Sequence, residues 1–187
     1  MMLPGYDVRK AAQVVAYFAL QQGGSINVLK LSKLMYLAER EFMARFDVPM
    51  FYDKLVSMPD GPVASVTLNL INGEIEHEGW SEIVAKREGH DMRPVDGITL
   101  ESLDELSRAD LSVLATLWGK FAKFDRYELR DWTHNPKNIP EWVDPEGSSL
   151  PIDHAEVFRR LGKDKVDVLV RDVEQQRALA RRLNART

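Results

Sequence analysis

The stretch from Asn27 to Phe46, NVLKLSKLMYLAEREFMARF, constrains the fold more than any other part of the chain. On a helical wheel Val28, Leu31, Leu34, Met35, Ala38, Phe42 and Phe46 form one broad apolar stripe at the helical repeat. Leu29, Tyr36, Leu37 and Met43 fall off that stripe, so only Lys30, Lys33, Arg40, Glu41 and Arg45 remain as an interrupted polar margin. A helix apolar on most sides belongs inside a helical domain, with neighbours on several faces. Gly23-Gly24 breaks the chain before it, and Asn27 is placed to cap its first turn by accepting from an orphan backbone N–H. Asp47 and Pro49 write its end.

The remaining elements are predicted around this helix. Asp7 can cap a helix carrying Val8, Ala11, Ala12, Val15, Phe18 and Ala19 inward. MFYDKLVSM, after Pro49, is expected to be an ordered connector, and Pro59-Asp60-Gly61-Pro62 a turn that starts the next helix, with Pro62 in its first turn. Ile83 to Val95 folds back about Glu88-Gly89-His90-Asp91, which predicts a small hairpin with Pro94 on an edge strand. Ser107 and Asp125 then open two antiparallel helices. Asn135 to Pro151, with four prolines, reads as a loop that carries Trp142. Asp153 is expected to cap a short helix over Ala155 to Leu161, and Asp164 to Ala185 to form a last helix whose apolar stripe fades. The expected fold is therefore mainly α: a single helical domain around a buried central helix, with a small β-hairpin.

A chain of 187 residues, 44% hydrophobic and 29% charged, can bury a self-sufficient core. No apolar window is long enough for a bilayer span and no signal-peptide pattern opens the chain, so a cytoplasmic protein without membrane contact is expected. Without cysteine there is no disulfide, thiol nucleophile or thiolate metal site. The net charge is −4, yet from Lys163 onward seven Lys or Arg face four Asp or Glu, a tail of +3 on a body of −7. Arg177, Arg181, Arg182 and Arg186 in that tail offer a route to DNA phosphates, the alternative reading being a solvated face that complements the helix dipole.

The sequence holds no coherent catalytic or cofactor set. The four histidines, His77, His90, His134 and His154, lack the one-turn spacing that grips a metal from one helix face. Asp131 and His134 with Ser57 or Ser65 would make a hydrolytic triad only by imagination, since no Gly-x-Ser-x-Gly elbow accompanies them; a helix-end histidine is the better reading of His134. Glu39 and Glu41 flank Arg40 without facing each other and read as solvated margin or local ion pairs. No glycine-rich phosphate loop is present. Trp142, among prolines and acids, reads as an exposed interface anchor.

One pattern carries a family resemblance. Leu31, Lys33, Leu34 and Tyr36 within LKLSKLMYLA, followed by Gly61-Pro62-Val63 and later by Thr133-His134 and Pro140-Glu141-Trp142, resemble the paired signature of the Panacea domain of SocA-like antitoxins. Asp60 stands where relatives carry an aromatic residue or His. The resemblance implies a cofactor-free, non-enzymatic antitoxin domain over residues 1–162, of the kind found in prophage settings; 163–187 lies outside the resemblance and reads from its own pattern as a basic amphipathic helix extending the same domain. It implies a cognate toxin as partner, with Met58, Asp60, Pro62 and Trp142 as candidate toxin contacts and Gly61, Val63 and His134 as structural motif residues. The alternatives are an autorepressor or phage-associated accessory protein that binds DNA through the tail, or an adaptor that delivers the toxin to a protease.

Overall fold

The structure, a computed structural model, describes residues 2–184. Arg186, one of the tail arginines, and Ala185, the expected end of the last helix, lie outside the described residues. Eight helices and five short strands follow in the order α1 Val8–Gln21, β1 Ile26–Asn27, α2 Val28–Phe46, β2 Leu55–Met58, β3 Gly61–Ala64, α3 Ser65–Asn72, α4 Glu78–Ser81, β4 Asp91–Met92, α5 Arg108–Phe121, α6 Arg126–Thr133, β5 Leu150–Ile152, α7 His154–Arg160 and α8 Val166–Asn184. The fold is mainly α, as expected.

Helix α2 is the axis of the domain and touches α1, α3, α5, α6, α7 and β3. Leu31, Leu34, Tyr36, Ala38 and Met43 are wholly buried, which follows from an apolar surface that extends round most of the cylinder. Asn27 accepts from the Leu29 N–H at 3.0 Å, and Asp47 closes the other end with φ of +63°. Phe46 departs from the expected stripe: at the last turn it is 42% exposed and stacks on Phe42. The polar margin is also different from expectation. Lys30 and Lys33 are buried, and Glu39, expected in solvent, is inside the core.

Local caps are realised where the sequence writes them, with Asp7, Ser107 and Asp125 each accepting from first-turn amides. Asp153 makes no such bond, and its helix starts one residue earlier, at His154.

The connector and turn differ more. Leu55–Met58 is a strand, and Gly61–Ala64 is its antiparallel partner, with Ser57 opposite Pro62. Pro62 therefore sits in a strand and not in the first turn of a helix, which begins only at Ser65. The other side of β2 receives Leu150–Ile152 from the end of the long loop, with Val56 opposite Pro151. The resulting order is β3-β2-β5, with a proline in each outer strand. The hairpin over Ile83–Val95 is present as bridges at Val84–Pro94 and Glu88–Asp91, and its Asp91–Met92 also pairs with β1.

Candidate functional site

The residues that carried the family resemblance come from three distant segments and meet at one short turn. Between β2 and β3 the chain reverses through Pro59-Asp60, and the carbonyls around the reversal point into the domain. Trp142 Nε1 donates to the Met58 carbonyl at 3.1 Å. His134 Nε2 lies 2.7 Å from the Pro59 carbonyl, and Lys33 Nζ donates to the Pro62 carbonyl at 3.3 Å. The lysine comes from α2, the histidine is the C-cap of α6, and the tryptophan follows in the loop. His134 also has Nδ1 2.8 Å from the Arg130 carbonyl. Carbonyls only accept, so the ring donates to both when each nitrogen carries a proton.

Gly61 is required here by two independent features. Its φ is +98°, in the region that side chains disfavour, and a Cβ would lie 3.1 Å from both Lys33 Nζ and Thr133 Oγ1. The space a side chain would take is the space the lysine head occupies. Burial pushes the Lys33 amine down to about 7, with the Asp60 carboxylate pulling the other way.

A second set of bonds fixes the loop end of the clamp. Tyr36 donates to Glu141 Oε1 at 2.6 Å, and Arg40 grips both oxygens of the same carboxylate through Nε at 2.5 Å and a terminal nitrogen at 3.3 Å. Glu141 is buried, so the pair works as an anchor inside the domain. Burial, then the neighbouring carboxylate, raises the Tyr36 hydroxyl well above its ordinary value. Trp142 follows directly and stacks edge-on against His134, with ring centres 4.7 Å apart. It is half-buried rather than free in solvent, the correction to its reading as an exposed anchor. Outward remain Pro59, Asp60 and Val143, the last 60% exposed, beside half-buried Met58. Pro62 and Val63 are buried and support the turn from within.

The imagined triad is not assembled. His134 turns to carbonyls, Asp131 pairs with Arg130 at 2.7 Å, and Ser57 Oγ accepts from the Val143 amide. Among the described residues no cluster of three His, Asp or Glu could hold a metal ion, and no helix is long and apolar enough to cross a membrane.

Two buried partners escaped sequence reasoning. Glu141 lies next to Trp142 in a loop, and nothing local says that it reaches Tyr36 and Arg40 across 105 and 101 positions. Glu39 accepts from the amides of Met50, Phe51 and Asp53 at 2.5, 3.2 and 2.7 Å, and burial pushes its carboxyl up to about 8. The available signal was a charged residue on a helix otherwise apolar on nearly every side.

The fold and its clamped turn define a small helical domain whose buried polar groups serve to hold a surface loop in place. The model of the antitoxin SocA-like Panacea domain matches residues 31–142, more than half of the chain, from the start of the α2 motif to Trp142. The protein belongs to that family. No curated protein and no solved structure matches it.

Proposed function

We propose that this protein is the antitoxin of a toxin–antitoxin pair and neutralises its cognate toxin by direct binding through the β2–β3 turn and the adjoining Pro140–Val143 segment. The observation that carries this reading is the convergence of Lys33, His134 and Trp142 on three carbonyls of one turn. A turn held on three sides presents Pro59, Asp60 and Val143 in a fixed arrangement, and a preordered surface loses less conformational entropy on binding. Met58, Asp60 and half-buried Trp142 are the contacts we assign to the toxin, with Pro62 as their backing. The family membership supports the antitoxin role, and the contact residues are our own assignment.

The tail is taken as an extension of the same domain. Arg177, one of its cations, is directed inward to the carbonyls of Pro4, Tyr52 and Asp53, which argues against a tail given over to phosphate contacts. The test is co-expression. The adjacent reading frame is expected to arrest growth when expressed alone and to be harmless beside this protein. A neighbour that is harmless alone, or toxicity that persists beside folded protein, rejects the reading.

A further inference from the structure

A groove of about 750 Å³ lies beside the clamped turn, over the first residues of α2. We infer that it seats a short acidic peptide segment of the protein partner; this rests on the antitoxin reading and supplies the chemistry of the contact. Arg87, His90, Arg126 and Tyr127 line it, and a neighbouring depression shares Arg126 and Tyr127 and continues to Lys123. Cationic side chains thus border both concavities.

Three observations give that cationic lining its meaning. Arg87, Lys123 and Arg126 are exposed and hold no carboxylate among the described residues. Arg87 bonds only neutral oxygens, those of Asn72 and Gly89. Of the two acids that border the groove and depression, Asp125 already caps α6 through the amides of Tyr127 and Glu128. Asp60 remains, at the tip of the turn. On a protein of net charge −4 this is a local field of the opposite sign, able to select an anionic group and set its register.

The occupant is a peptide and not a nucleic acid on two grounds. A polyanion longer than the groove would run onto a body of net negative charge. The ring of Tyr127, the aromatic side chain that is most exposed there, already carries the guanidinium groups of Arg126 and Arg130 at 4.8 and 5.2 Å, so the stacking surface a base would need is occupied. Ser148 and Ser149, which also line the groove, add hydroxyl groups suited to a peptide backbone.

The full chain, labelled with ¹⁵N, is titrated with an octaglutamate peptide and separately with an oligothymidylate of equal charge. The peptide is expected to move the amides of Asn27, His90, Tyr127 and Ser148, less so at high salt, and to move none of them in the Arg87→Glu/Arg126→Glu variant, whose spectrum also reports its folding. Unmoved amides, or a response to the oligonucleotide at lower concentration, overturn the inference. With the co-expressed toxin, the double variant is expected to bind at least ~10-fold more weakly than wild type. Equal binding by both sinks the groove and leaves the antitoxin reading intact. If wild type binds no toxin, the antitoxin reading fails, and so does the assignment of the occupant to that partner.

Discussion

Helix α2 buries the amine of Lys33 and the carboxyl group of Glu39 six residues apart, and the molecule treats them differently. Glu39 holds the loop before β2 by its amides, with three backbone N–H groups converging on one carboxyl group. Lys33 holds the turn after β2 by a carbonyl, through a single bond of 3.3 Å. Both side chains are buried, at 0% and 1% exposure, so both bear the cost of leaving water. Glu39 has three partners and Lys33 one, yet burial outweighs them at both, holding the carboxyl up to about 8 and the amine down to about 7. The amide-holding end is therefore read as fixed structure, and the carbonyl-holding end as a place where stability was given up to keep a turn in one shape.

Glu39→Ala should have the largest effect, because it strands three buried donors. We expect a loss of about 3 to 5 kcal/mol in urea unfolding, and a loss below ~1 kcal/mol would show that the loop finds other acceptors. Gly61→Val comes next, at about 3 kcal/mol, since it combines left-handed backbone strain with displacement of the Lys33 head. Wild-type stability in that variant would remove the close approach from the account.

Lys33→Met sharpens the contrast through pH. The folded amine titrates near 7 and the unfolded one near 10.5, so between those values the unfolded chain binds more protons and wild type gains stability as pH rises. Below pH 7 the penalty is fully present and nearly flat. Relative to the methionine variant, wild type should gain about 2 kcal/mol between pH 7 and pH 9, measured by unfolding at each pH. A flat difference across that window would mean that the amine is solvated. The smallest effect is expected from Trp142→Ala on toxin affinity, about 1 kcal/mol or somewhat more by calorimetry, because part of that ring is already engaged with Met58 and His134. Affinity equal to wild type would remove Trp142 from the interface.

The sequence disclosed what is local. Asp7, Asn27, Ser107 and Asp125 each announce a helix within four residues, and the apolar surround of α2 announces its place at the centre. It concealed what depends on distant pairing. Leu55–Met58 looks like a connector because its partners are a proline-containing strand directly after it and three residues almost a hundred positions later. Gly61-Pro62 looks like a helix start because glycine followed by proline suits one equally well. The burial of Lys33 and Glu39 was hidden for the same reason: a charged side chain in an apolar helix is ordinarily assigned to the solvent side, and the backbone groups that receive these two belong to chain segments after the helix.

The small sheet has one further consequence. Both outer strands, β3 and β5, contain a proline, which contributes no N–H with which an incoming strand could pair. Two copies of this chain meeting edge to edge would find the hydrogen-bond ladder interrupted on either side, so the sheet resists growth by strand addition. Under the proposed function the same two prolines disfavour capture of a toxin by strand addition and leave shape and charge as the means of recognition.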